Sequence, residues 1–185
     1  MSRPSRIIAI VLMAFIAVSL SACSGKTRVK SDLHIKGAPK WVNKGTQILK
    51  DKRGRLFHGV GIAGPMGNLS LQRDAADNRA RAELARVLSS YMDVVSSDYV
   101  AASGGGNEQI ISRQISNLSK INLTSARIIG RWRDKRTNTI YSIVELDMKR
   151  MKKTLTQVQG MNADLKRYIN QSGDNIFDNM TEGNR

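Results

Sequence analysis

The chain has 185 residues, 30 lysines and arginines against 15 acidic residues, a net charge of +15 and a single cysteine. One cysteine leaves no intramolecular disulfide, so an ordinary hydrophobic core must hold the fold, and the length suits one domain. The positive charge points to anionic partners, but its densest stretch, residues 26–55, lacks the series of interleaved aromatics that a base-stacking groove requires, and the N-terminal signal described below directs the chain out of the cytoplasm, so nucleic acid is not an expected partner.

Residues 7–18 form an unbroken apolar run, IIAIVLMAFIAV, after Arg3 and Arg6 and before small residues that end on Cys23. Basic, apolar and small-residue parts in that order make a secretory signal, and a run of 12 residues is too short for a bilayer span, which takes about 20. Leu20-Ser21-Ala22-Cys23 resembles the lipobox of bacterial lipoproteins. The resemblance implies that the Cys23 thiol is alkylated by diacylglycerol, that residues 1–22 are removed, and that the freed amine receives a fatty acid such as palmitate. A three-chain anchor is sufficient, since two chains already hold a protein stably on a membrane. The alternative is a buried thiol beside a cleaved peptide. Ser24 stands where the enterobacterial sorting rule would have Asp for retention at the inner membrane, so the outer membrane is the expected destination.

Removal of residues 1–22 takes away Arg3 and Arg6 and no acid, leaving +13 over 163 residues. Residues 26–55 carry ten Lys or Arg against Asp32 and Asp51. Such a stretch after a lipid anchor reads either as a tether lying on anionic head groups or as a solvated linker. The expected division is a lipidated, basic N-terminus over residues 23–38, a domain over 39–160 and a tail over 161–185.

Within the domain, residues 55–63 read as a strand with Val60 and Ile62 on one face, ended by Gly64, Pro65 and Gly67. Asn68 or Ser70 can cap a helix running to about Ser90, with Ala76, Ala80, Leu84, Val87, Leu88 and Tyr91 along its seam and Asp77 spaced to pair with Arg81. Residues 91–100 suit either a strand or a continued helix, and residues 101–107 a glycine-rich loop. Ile111, Ile115 and Leu118 predict a second helix over 108–118. Residues 125–133 and 138–147 predict a hairpin. In its first strand Ala126, Ile128 and Trp132 alternate with Arg127, Arg131 and Arg133; in its second Ile140, Val144 and Leu146 oppose Tyr141, Ile143 and Glu145. Asp147 can cap a third helix with Met148, Met151, Leu155 and Val158 on its seam, ended by Gly160. The tail, rich in Asn and Gly, reads as weakly ordered unless a partner covers it. This order of elements predicts an α+β domain, an antiparallel sheet with a long helix and shorter helices on one face.

Pro39-Lys40-Trp41-Val42, Phe57-His58-Gly59-Val60-Gly61, the alanine-rich helix of residues 75–86, Ala126-Arg127-Ile128-Ile129-Gly130-Arg131-Trp132 and residues 140–147 together resemble the LPP-type twenty-kilodalton outer-membrane lipoprotein family over roughly residues 39–155. Related domains occur in flagellar outer-membrane lipoproteins and surface antigens. The resemblance implies a structural or assembly role in the cell envelope and no enzymatic activity. The partners it implies are the membrane through Cys23 and envelope or flagellar proteins, with a second copy of the chain as a further candidate. A basal-body lipoprotein needed for motility and a surface adhesin or antigen are the competing roles, and the domain faces either the periplasm or the exterior.

Motifs for chemistry are sparse. Gly59-Val60-Gly61-Ile62-Ala63-Gly64 spells the dinucleotide G-x-G-x-x-G, but Pro65, Met66, Gly67 and Asn68 separate it from the helix and the acid about 20 residues on, Glu83, falls mid-helix. The glycines read instead as thinning the strand for close packing. His34 and His58 have no third soft ligand once Cys23 is acylated, and no G-x-S-x-G elbow is present, so no catalytic residue, metal site or cofactor is expected. Arg127, Arg131, Arg133, Lys135 and Arg136 crowd one strand and its turn. They form either a patch for lipopolysaccharide phosphates or an acidic protein, or a solvated strand face.

Overall fold

The structure, a computed structural model, describes residues 33–104 and 107–182. The apolar run expected as a secretory signal, Leu20-Ser21-Ala22 and Cys23 lie outside the described residues. The domain is α+β. A short helix α1 (Lys40–Lys44) leads into β1 (Gln47–Asp51) and β2 (Gly54–Ala63), and the long helix α2 (Leu69–Ala102) and α3 (Glu108–Ser125) follow. β3 (Arg127–Arg133), β4 (Ile140–Asp147), α4 (Met148–Thr154) and α5 (Ala163–Glu182) complete it. The four strands form one antiparallel sheet in the order β1-β2-β4-β3.

α2 begins where Asn68 accepts hydrogen bonds from the Ser70 and Leu71 amides at 2.9 and 3.1 Å. It runs past Ser90 without a Gly or Pro, and Tyr91, Met92 and Val95 extend its buried stripe, so residues 91–100 are helix. At 1.5 Å per residue it is about 50 Å long, longer than the sheet it crosses, and its second half packs against α3 and α5. α3 likewise continues to Ser125, because Asn122 is buried and accepts from the Thr154 hydroxyl at 2.7 Å. Asp147 caps α4 through the Lys149 amide at 2.6 Å.

Phe57, Gly59, Gly61 and Ala63 of β2 face α2, and the register places Leu146, Val144, Ser142 and Ile140 of β4 beside them. The glycines explain how close the helix comes. A Cβ on Gly59 would lie 3.0 Å from the Leu84 Cα and nearer still to the Ala80 carbonyl oxygen and the Leu84 amide; one on Gly61 would lie 2.8 Å from the Arg79 carbonyl carbon and nearer still to the Ala76 oxygen and the Ala80 amide. α2 supplies small Ala76 and Ala80 at this crossing, so backbone meets backbone. The two glycines of the apparent fingerprint are thus covered by the helix.

Two elements depart from the reading above. β1 lies inside the basic segment; its Ile48 packs toward the core while Lys50 and Asp51 stay exposed. The tail, expected to be weakly ordered, forms α5, whose Leu165, Ile169, Ile176 and Phe177 are buried in the main core. Phe177 packs edge-on against Phe57 at 4.9 Å and Tyr91 at 6.5 Å between ring centroids. The Tyr91 hydroxyl donates to the Gly173 carbonyl at 3.0 Å, and burial raises its pKa. The globular part therefore extends to Glu182.

Ion pairs clamp α5 to the β1–β2 hairpin. Asp178 accepts two hydrogen bonds from Arg55 and one from Lys50, all at 2.7 Å, and Asp174 pairs with Lys152 at 2.8 Å and Arg55 at 3.3 Å. The hydrogen bonds from Arg55, with those from Lys50, push the Asp178 carboxyl from its ordinary 3.8 down to about 2. A depressed carboxylate stabilises the fold above its unfolded pKa and loses that contribution as the pH falls toward its folded one. Asp178→Asn should therefore cost about 1 kcal/mol near neutral pH, after screening at this partly exposed site, with the deficit closing between pH ~4 and pH ~2. Urea melts of both chains across that range check it; a deficit that does not change with pH would show that the pair contributes through packing alone.

On the opposite face of the sheet lie Leu56, His58 and Val60 of β2 and Tyr141, Ile143 and Glu145 of β4. α1 lies across part of it, with Trp41 placed 4.0 Å from where a Cβ on Gly130 would be.

Candidate functional site

The β3 arginines were expected to share one strand face. The register shifts between Ile128 and Gly130, so Ile128 pairs with Val144 but Gly130 pairs with Ile143. This bulge, at exposed Ile129, reverses the alternation. Beyond it Arg131 and Arg133 turn toward the α2 side, whereas Arg127 stays on the opposite side with Glu145, and Trp132 joins Tyr141 at 5.4 Å between ring centroids. The five-residue patch is therefore divided. Arg131 is engaged with Asp77 through two hydrogen bonds, at 2.8 and 2.5 Å, and Asp77 also accepts from the buried Ser142 hydroxyl at 2.6 Å. Burial acts to raise the Asp77 carboxyl, and the Arg131 and Ser142 hydrogen bonds outweigh it, so the carboxyl stays below its ordinary range. The expected Asp77–Arg81 pair is replaced by this one, and Arg81 instead donates to the Ala126 carbonyl at 3.2 Å. Arg136 reaches Asp134 at 3.8 Å, and Lys135 is exposed on the turn.

What the fold does bring together is a small cleft of about 140 Å³ between the first turns of α2 and the end of β3, lined by Leu69, Arg73, Arg131, Trp132, Arg133 and Ile140. Arg73 and Leu69 are four residues apart and so share one side of the helix. Arg133 donates to the Asn138 side chain at 2.9 Å, a neutral partner that leaves its charge uncompensated. Gln72, only 4% exposed, holds the cleft's walls in place: its side-chain amide donates to the Ala63 carbonyl at 2.9 Å and the Asn138 carbonyl at 2.7 Å, joining the end of β2, the β3–β4 turn and the start of α2. Two guanidiniums without an acidic partner among the described residues, a third preoriented by Asp77, and an apolar wall suit one anionic group such as a phosphate or carboxylate. The side chains that line the cleft supply hydrogen-bond donors and an apolar wall.

His58 is absorbed into the fold. Its ring is buried and Nε2 lies 2.8 Å from the Glu145 carboxylate, which also meets Arg53 at 3.5 Å. Nδ1 has no hydrogen-bond partner among the described residues. Glu83 sits mid-helix with Thr46 and Arg86 as partners. No group of three metal-ligating side chains occurs among the described residues, and none of their helices is long and apolar enough to cross a membrane. Sequence reasoning missed Arg73 and Gln72. The only local signal was the four-residue spacing of Leu69, Arg73 and Asp77, which gives a helix side and not the strand opposite it. No protein-family model matches the chain, and no curated protein matches it.

Proposed function

We propose that the chain is a lipid-anchored protein of the bacterial outer membrane whose α+β domain acts by binding, as a structural or assembly module of the cell envelope. The observation that carries this reading is Leu20-Ser21-Ala22-Cys23 at the end of a basic and then apolar run, with Cys23 the sole cysteine. The residues that carry the family resemblance support the fold more than the chemistry, since Phe57, Gly59, Gly61 and Val144 are core positions. The arginine cleft is the contact we assign to an anionic group on the partner.

The test is crosslinking in living cells, followed by purification of a tagged copy from outer-membrane fractions and mass analysis of its N-terminus. The expected result is a chain that begins at acylated Cys23 and brings down a partner. Arg73→Ala/Arg133→Ala should fractionate normally and lose that partner about tenfold or more, whereas Cys23→Ala should leave the outer-membrane fraction. An unmodified Cys23 would sink the anchor, and equal partner recovery by the double variant would sink the cleft. Recovery of basal-body proteins would select the flagellar role; recovery of self-crosslinks alone would select a surface coat.

A further inference from the structure

We propose that the sheet face carrying α1 is the surface by which the anchored domain rests on anionic lipid head groups. The inference depends on the lipid-anchor reading for its tether and on residues 33–46 for its surface. That stretch contains Lys36, Lys40 and Lys44, all exposed, and no acidic residue. Lys40 and Lys44 stand at the two ends of α1, one helical turn apart. None of the three lysines pairs with a carboxylate among the described residues.

The rest of the face is compatible with that charge. Arg127 is exposed there, and the carboxylates on this side of the sheet are engaged, Asp51 by Arg53, Glu145 by His58 and Arg53, and Asp147 by the Lys149 amide it caps. Half-buried Trp41 supplies an amphipathic ring of the kind that sits at a membrane interface. On the helix-covered face Arg55, Lys152 and Arg131 are taken up by Asp178, Asp174 and Asp77, and the two uncompensated guanidiniums, Arg73 and Arg133, are confined to the cleft.

Distance makes the contact available. Nine residues separate Cys23 from Leu33, so the tether reaches at most about 35 Å when fully extended. It carries Lys26, Arg28 and Lys30 against Asp32. A chain held this close to the bilayer explores it at high effective concentration, and three lysines reaching an anionic surface favour the docked orientation roughly a hundredfold.

The experiment uses the full lipidated chain in vesicles of phosphatidylcholine with or without phosphatidylglycerol, labelled by a membrane-impermeant amine reagent and read lysine by lysine. Labelling of Lys36, Lys40 and Lys44 should fall about fivefold or more on the anionic vesicles and recover in 1 M salt, where screening shrinks to about 3 Å; Lys120 and Lys153, on α3 and α4, should not change. Equal labelling of the three lysines on both vesicles overturns the proposal. So does protection of Lys135 in their place, which would put the cleft end on the lipid. Flotation with pure phosphatidylcholine reports the anchor separately, and a chain that fails to float overturns the anchor reading, and the tether with it, whatever the lysines do.

Discussion

Gly61→Ala is expected to destabilise the domain by about 3 kcal/mol or more, among the largest effects of any single methyl group added to it. The new Cβ would meet main-chain atoms of Arg79, Ala80 and Ala76, and main chain cannot rotate out of the way as a side chain can. The only relief is to lift α2 off the sheet, which opens the packing of Ala76, Ala80 and Leu84 along the crossing. Gly59→Ala should behave alike, since it meets Ala80 and Leu84 backbone one turn further on. Gly64 is the internal control. It has nothing within 4 Å of its Cβ position and no left-handed backbone, so Gly64→Ala should stay within about 0.5 kcal/mol of the parent. Urea unfolding midpoints of the three variants test this. Comparable losses at all three glycines would mean that the motif acts as a unit and that helix packing is not its reason.

Phe177→Ala should cost about 3–5 kcal/mol. The ring is fully buried, it completes an aromatic group with Phe57 and Tyr91, and it sits one residue from the Asp178 clamp. Its loss leaves a cavity that main-chain movement cannot readily close, because Phe57 is fixed in the sheet and Tyr91 in α2. A chain ending after Gly160 should be worse still, exposing Tyr91, Phe57 and the α4 seam together. Thermal unfolding decides the matter: a Phe177→Ala chain melting within a degree or two of the parent would return the tail to the weakly ordered state its composition suggests.

Much of the fold is legible in the sequence because its signals are local. Asn68 and Asp147 cap the helices they precede, and the alanine seam of α2 predicts close packing on a strand whose glycines make room for it. The β3–β4 hairpin follows from alternation around a polar turn. β1 escaped notice because two apolar residues, Ile48 and Leu49, are too few to establish a period among lysines. α5 escaped because polar residues such as Asn170, Gln171, Asn175 and Asn179 dominate its exposed side; read at helical spacing, Leu165, Ile169, Ile176 and Phe177 mark one stripe.

The candidate site was less legible, for a physical reason visible in β3. Strict alternation puts Trp132 with Ile128 and groups all three strand arginines on one face. A single bulge at Ile129 moves Trp132 to one side and sends Arg131 and Arg133 to the other. The cost or benefit of a bulge is set by the neighbouring strand and the helix above it, so residues within β3 do not announce it.

The sequence by itself determined the basic, apolar and small-residue order that ends on Cys23, the α+β class, the helix caps and which stripe of each long helix is apolar, because those depend on residues a few positions apart. Tertiary structure decided that Arg73 and Arg133 share a cleft, that Arg131 is already held by Asp77, that α5 completes the core and that α1 lies on the opposite face. Those outcomes depend on strand register and on contacts between residues tens of positions apart, which are chosen by the packing of the whole domain.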